Sequence, residues 1–206
     1  MGDHLKYSGA GSEAQRRALI EIILADSFLM GLLHGLEELA LPDALVASGV
    51  VYNTVWNALT GRPSHYGIND ADIAYFDPSD RSYLAEDRII QHVQARFAGS
   101  AIPVEVRNQA RVHLWFPDKF GLAYPELTCS VDMLLYFATK THAVAARLDR
   151  GEIAIFAPFG IDDLFSFRLT PNPALPNRAT HEAKAVRAMQ LWPELQFAPW
   201  PDEIGD

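Results

Sequence analysis

In the segment from Pro103 to Phe116, the even positions are apolar except for Asn108, and the odd positions from Glu105 to His113 are polar. A strand places successive side chains on opposite faces of a sheet, so this alternation predicts one long strand with one buried and one polar face. The polar row either faces solvent at a sheet edge or forms the floor of a cleft. Its members are Glu105, Arg107, Gln109, Arg111 and His113.

A second, shorter apolar stretch begins with two aspartates. Asp70 and Asp72 stand at the start of the predicted strand Ala71 to Phe76. Side chains two residues apart on a strand project from the same face, so these carboxylates can converge on one cation. Mg²⁺ prefers such oxygen ligands. The alternative is an ordinary turn at Asp70, with Asp72 as a solvated strand residue.

A glycine turn precedes the aspartates. The apolar run Ala44 to Ser48 predicts a short buried strand, which passes through Gly49 into a predicted helix from Val50 to Leu59. Glycine permits close approach of the backbone to a ligand, and a helix N-terminus offers free N–H groups to phosphate oxygens. The strand, turn and helix therefore predict a phosphate site beside the aspartates.

The rest of the chain predicts helices around a small mixed sheet, which is an α+β or α/β fold. We expect a helical segment over 13–42, broken near Asp26, and a core over 44–170 in a single domain that spans 13–190. Residues 1–12 predict a flexible tail, and residues 191–206 predict a tail rich in Trp and Pro. Further predicted elements are helices over 83–97, 130–140, 161–165 and 180–190, and a hairpin over 143–156.

Charge and cysteine content narrow the function classes. The 17 basic and 26 acidic residues give a net charge of −9, which argues against an extended nucleic acid as partner and favours a small-molecule or protein substrate. Cys129 is the one cysteine, which excludes an intrachain disulfide and suits a reducing cytosol.

The N-terminus lacks a secretory pattern, and the apolar stretch over 18–33 is interrupted by charges. We therefore expect a cytoplasmic protein without a membrane segment.

The ordered set of blocks resembles the DNA polymerase β-like nucleotidyltransferase superfamily. Residues 46–53 and 59–63 are similar to the head block of the tRNA nucleotidyltransferase and poly(A) polymerase branch. Residues 104–106 fit the third-carboxylate pattern, and residues 108–113 and 157–165 look like a small bacterial nucleotidyltransferase-like family of poorly defined role. The resemblance implies a nucleotidyltransferase-like core. It also implies that three catalytic carboxylates bind Mg²⁺ or Mn²⁺, namely Asp70, Asp72 and Glu105.

The chain departs from that head block at three positions. Ser48 stands where the block has a second Gly, as in many other members of the superfamily. Tyr52 and Asn53 stand where the block closes with Arg and Asp, so a phosphate-contacting arginine is absent from its usual place. Arg62 or Arg107 could supply the missing charge. The predicted nucleotide-binding residues are therefore Ser48, Gly49, Arg62 and Arg107.

The function predicted from these residues is metal-dependent transfer of a nucleoside monophosphate from an NTP to an unknown hydroxyl acceptor, with release of pyrophosphate. The departures at Tyr52 and Asn53 motivate an alternative, a catalytically inactive module that senses nucleotides or binds proteins. A third interpretation is a hydrolase with two carboxylates as acid and base. It needs a desolvated carboxylate with a raised pKa, of which the polar sequence setting gives no sign.

Overall fold

A five-stranded mixed sheet organises the computed structural model, which describes residues 3–201. The strand order is β3-β2-β1-β4-β5, and β2 and β3 are parallel while the other neighbours are antiparallel. A separate parallel pair joins β6 to β7. The predicted small mixed sheet is confirmed. The strands are β1 Leu45–Ala47, β2 Ala71–Tyr75, β3 Val104–Asn108, β4 Ala145–Asp149, β5 Glu152–Phe156, β6 Arg168–Leu169 and β7 Gln196–Phe197.

Helices flank this sheet, which confirms the α+β class. The Asp26 side chain accepts a hydrogen bond from the Leu29 N–H and caps the second helix, at the predicted break. The segment predicted as a helix over 130–140 forms two short 3₁₀ turns instead, Val131–Tyr136 and Lys140–His142. The α-helices are α1 Ser12–Ala25, α2 Ser27–Leu39, α3 Gly49–Thr60, α4 Tyr83–Arg96, α5 Val112–Phe120, α6 Asp162–Phe165 and α7 Arg178–Leu191.

The hydrophobic core lies between the sheet and the first three helices and reaches the C-terminal segment. Leu19, Leu29 and Trp56 are buried in it, as is Trp192, which lies in the segment predicted as a tail. Within residues 3–201 no single helix is long and apolar enough to span a membrane. The pair α1 and α2 reaches the required length and composition only together, across a bend of 90°.

The N-terminal segment contacts the last part of the core. The Gly9 N–H donates to the Asp162 carboxylate (2.8 Å), and the hydroxyls of Ser8 and Ser166 lie 2.7 Å apart. The Gln15 amide donates to the same carboxylate (2.6 Å). These bonds hold residues 7–9 beside α6, whereas the domain boundaries proposed from the sequence stay predictions.

The long strand predicted over 103–116 is wrong beyond Asn108. The chain turns there into a 3₁₀ segment, Gln109–Arg111, and then into α5. The Asn108 side chain drives the turn, because its Oδ1 accepts from the N–H groups of Ala110 and Asp77, both at 3.0 Å. Gln109 and Ala110 are both buried, so the apolar-polar alternation of the sequence does not continue as a two-faced strand.

A buried ion pair fixes the end of β3. Glu86 of α4 is only 3% exposed, and its carboxylate accepts from the Asn108 N–H (2.9 Å) and from the Arg111 guanidinium. The polar row therefore splits, because Glu105 and Arg107 are exposed on the edge strand while Arg111 is paired inside.

We predict that Arg111→Met destabilises the protein by about 3–5 kcal/mol, because it leaves the Glu86 carboxylate buried without a cation. The double variant Glu86→Gln/Arg111→Met should recover a large part of that loss. Chemical denaturation measures both free energies of unfolding.

The matched control is Arg96→Met, which breaks the exposed Arg96–Glu38 pair and should cost less than about 1 kcal/mol. Equal losses for Arg111→Met and Arg96→Met would show that the buried pair does not hold the end of β3.

Candidate functional site

The predicted carboxylates meet at one end of the central sheet. Asp70 directly precedes β2 and Asp72 lies within it, and in the parallel register Asp72 is opposite Glu105 of β3. Neighbouring strands are about 4.8 Å apart, so side chains of opposite residues are adjacent. On its other side Asp72 pairs with Ala47, the last residue of β1. The turn after β1 therefore lies beside the same aspartate.

The Ser48 turn has a conformation that favours glycine. Its φ of +66° and ψ of −136° are rare for residues with a Cβ and store strain. The Ser48 N–H donates to the Val144 carbonyl (3.2 Å). The Ser48 carbonyl accepts from the N–H of Val51 (3.0 Å) in the first turn of α3. This geometry explains why the resembling head block has a second glycine at this position, and Ser48 adopts the same strained conformation.

Gly49 leaves space where a side chain would stand. A Cβ at Gly49 would lie 3.5 Å from the Asn53 Nδ2 and 3.7 Å from the Tyr52 Oη, which are ordinary contacts. Packing therefore does not require glycine here. The absent side chain instead keeps open a cavity of about 180 Å³ in front of the α3 N-terminus, which we call the polar cavity.

Two cations of α7 line the polar cavity together with the aspartates. Lys184 and Arg187 share its wall with Asp70 and Asp72. Neither cation has a carboxylate within salt-bridge distance among residues 3–201, although Lys184 acts electrostatically on Asp72. The sequence analysis missed both cations. It predicted their helix, but nothing in the pattern of that helix links it to a turn 130 residues upstream.

The two arginines predicted to bind nucleotide lie elsewhere. The Arg62 guanidinium is held by both carboxylate oxygens of Glu194, at 2.9 and 3.0 Å, and Arg62 does not line the described polar cavity. Arg107 donates to the Val106 carbonyl (2.8 Å) and lies 3.4 Å from the Glu105 carboxylate. Lys184 and Arg187 are therefore placed better than Arg62 to meet an anion in this cavity.

Burial raises the pKa of Asp72 to about 6, and the neighbouring Asp70 carboxylate raises it as well. Lys184 opposes these effects, Glu105 adds to them, and the Ser48 hydroxyl lowers the pKa by hydrogen bonding. The polar setting of Asp72 in the sequence shows no sign of a desolvated carboxylate, and the structure corrects that interpretation. Tertiary packing around β2 removes the Asp72 carboxylate from water, and the residue pattern alone does not reveal this packing.

His142, which lies just before β4, also lines the polar cavity. The His142 ring stacks on Tyr52 with ring centroids 4.2 Å apart, and burial lowers the pKa of His142 well below its usual value. Neither ring nitrogen has a hydrogen-bond partner in the described part of the chain. Burial also raises the pKa of Tyr52, with Asp72 as the next cause. The histidines show no metal-ligand spacing in the sequence, so His142 was missed.

The donor set fits a cation shared between protein and substrate. No group of three His, Cys, Asp or Glu side chains in residues 3–201 is arranged to hold a metal ion unaided. Asp70, Asp72 and Glu105 nevertheless offer carboxylate oxygens within one region, with Asp72 desolvated. Mg²⁺ is commonly bound by one or two carboxylates together with substrate phosphates, and this arrangement suits that mode rather than a closed metal cage.

A comparison with solved structures identifies the fold. An NMR structure described as revealing a CCA-adding enzyme head domain aligns with 89% of this chain and 96% of its own, with a TM-score of 0.72 and 23% sequence identity. That likeness shows the fold. No curated protein matches the chain.

The family follows from the sequence match. The model of a family described as nucleotidyltransferase matches residues 34–197, so the chain belongs to that nucleotidyltransferase family. The predicted family resemblance is confirmed. Family and fold together support a role in nucleotidyl transfer.

We predict that Asp72→Asn stabilises the metal-free protein by about 1–3 kcal/mol at pH 7.5, since each unit of pKa shift corresponds to about 1.4 kcal/mol. The folded-state pKa of about 6 exceeds the ordinary 3.8, so ionisation of Asp72 costs stability as pH rises through that range. The advantage of the variant should therefore vanish as pH falls from 6 towards 4. Denaturation in chelator-containing buffers measures it.

Asp118→Asn on the exposed face of α5 is the control and should change stability little at either pH. If wild type were the more stable protein at pH 7.5, the desolvation of Asp72 would be contradicted.

Proposed function

We propose that this protein transfers a nucleoside monophosphate from an NTP to a hydroxyl acceptor and releases pyrophosphate, with Mg²⁺ or Mn²⁺ as cofactor. The observation that carries the proposal is that Asp70 and Asp72 line one cavity with Gly49 at the N-terminus of α3, with Glu105 opposite Asp72 in the β2–β3 register, in a chain of the nucleotidyltransferase family.

The polar cavity suits the triphosphate. The first-turn N–H groups of α3 and its dipole favour an anion in front of Gly49. Lys184 and Arg187 add two positive charges to its lining. These cations would replace the arginine that the head block has near position 52, so the departures at Tyr52 and Asn53 do not by themselves imply an inactive protein.

Asp70 and Asp72 would hold the cation, and Glu105 would face the acceptor side. A divalent cation there would neutralise negative charge on the phosphate oxygens. The acceptor hydroxyl oxygen attacks the α-phosphorus and forms the new phosphoester bond. The bond from the α-phosphorus to the oxygen bridging it to the β-phosphorus breaks, pyrophosphate leaves, and Glu105 accepts the hydroxyl proton.

The acceptor proposed here is not an extended nucleic acid. The solved head domain with the same fold is described as CCA-adding, but the net charge of −9 offers little for a long phosphate backbone. The exposed Glu105 on the acceptor side adds negative charge where such a backbone would approach. A small molecule or a protein hydroxyl is the better candidate, and a reducing cytoplasm remains the proposed location.

The experiment compares four proteins for binding of Mg²⁺-ATP and for pyrophosphate release from each NTP with Mg²⁺ or Mn²⁺. Wild type should bind nucleotide only with the divalent cation. Asp70→Asn/Asp72→Asn should abolish pyrophosphate release and the cation dependence of binding. Lys184→Met should weaken nucleotide binding about tenfold, the effect of losing one close charge at about 1.4 kcal/mol.

Arg17→Met, an exposed cation on α1 far from the cavity in sequence, is the charge-matched control and should behave as wild type. Equal nucleotide affinity and pyrophosphate release in wild type and the double aspartate variant would contradict the proposal. A wild-type protein that binds nucleotide without releasing pyrophosphate from any NTP, and keeps the same affinity when both aspartates are replaced, would instead favour a nucleotide-sensing module.

A further inference from the structure

A second cavity, larger and mostly apolar, also opens beside Asp72. Its volume is about 580 Å³, and we call it the aromatic cavity. Helix α5 and residues 122–137 supply the aromatic part of its wall. The rings that line it are those of Trp115, Phe116, Phe120, Tyr124, Tyr136 and Phe137.

The aromatic cavity meets the polar cavity at the candidate catalytic centre. Ser48, Asp72, His142 and Lys184 line both cavities. A ligand in the aromatic cavity and a triphosphate in the polar cavity would therefore both lie beside Asp72. Transfer between two bound substrates requires this kind of proximity.

Buried polar atoms of two residues that line the aromatic cavity lack hydrogen-bond partners in the described part of the chain. Both ring nitrogens of the buried His142 and the Asn177 Oδ1 have no hydrogen-bond partner among residues 3–201. The Arg107 guanidinium lies on the same wall, two residues from Glu105 on β3. Buried polar atoms are nearly always hydrogen-bonded, so these groups are suited to a polar head on a ligand.

The apolar lining of the aromatic cavity indicates the chemical class of the ligand that fits there. A volume of about 580 Å³ is within the range of about 300–1,000 Å³ typical of small-molecule sites. Six aromatic rings offer edge and face contacts to a planar ring. A sugar or polyol would instead bring many hydroxyls against carbon surfaces that cannot hydrogen-bond them.

We propose that the aromatic cavity holds the acceptor, and that the acceptor is a small hydroxyl compound with an aromatic body. This inference rests on the proposed function. The hydroxyl oxygen of the compound bonds to the α-phosphorus, pyrophosphate leaves with the electrons of the broken bond, and the hydroxyl proton passes to Glu105. The product is the aromatic ester of the nucleoside monophosphate.

The test uses 2-naphthol as probe and calorimetry as readout, with and without Mg²⁺ and α,β-methylene-ATP. Ala179 is an exposed position of α7 that lines the aromatic cavity, and Ala179→Trp would fill the cavity mouth. Ala183 is an exposed alanine one turn further along α7 that does not line it, so Ala183→Trp is the matched control.

Wild type should bind 2-naphthol, Ala179→Trp should weaken that binding at least tenfold, and Ala183→Trp should keep it within twofold. The nucleotide should bind together with 2-naphthol and with equal affinity in both variants. Absence of 2-naphthol binding, or equal binding in Ala179→Trp, overturns the assignment of this cavity.

Displacement of 2-naphthol by the nucleotide also overturns it, because the cavity would then hold the nucleobase. A protein that binds 2-naphthol in the predicted way but fails to bind nucleotide with Mg²⁺ overturns the proposed function and with it the acceptor role. A protein that binds nucleotide but not 2-naphthol keeps the proposed function and loses only this inference.

Discussion

The parallel pairing of β2 and β3 is the constraint on which the site depends. It sets Asp72 opposite Glu105, and the antiparallel pairing of β1 with β2 sets Asp72 opposite the residue before the Ser48 turn. A shift of either register by one residue would point these side chains to the opposite face of the sheet. The Glu86 carboxylate and the Asn108 side chain end β3 at a fixed point, and in this way they hold the register that the carboxylates need.

A second constraint, the packing of Trp192, sets the position of helix α7 relative to α3. The indole N–H of Trp192 donates to the Asn57 Oδ1 (3.1 Å), and the ring packs so closely on Gly67 that a Cβ there would lie 2.4 Å from it. The Asn53 amide also contacts the Gly67 carbonyl (3.4 Å). These contacts anchor the end of α7 to α3, and as a result Lys184 and Arg187 reach the polar cavity.

Local pattern was enough to predict most of the elements and the carboxylate end of the site. Spacing placed Asp70 and Asp72 together, and the alternating segment supplied Glu105. The strand predicted from that alternation was too long. The Asn108 side chain and the buried ion pair between Glu86 and Arg111 end β3 at Asn108, although the alternation continues beyond it. Lys184, Arg187 and His142 could not be found from the sequence, since their place in the site is set by tertiary contacts such as the burial of Trp192. The pKa of Asp72 depends on burial, which is equally a property of the folded chain.

The most direct test is a crystal of the protein soaked with Mn²⁺ and α,β-methylene-ATP, with the metal located by anomalous scattering. The account predicts an anomalous peak between the Asp70 and Asp72 carboxylates, bridged to triphosphate oxygens in front of Gly49 and facing Lys184. A triphosphate bound elsewhere, or metal bound only away from these two aspartates, would contradict it.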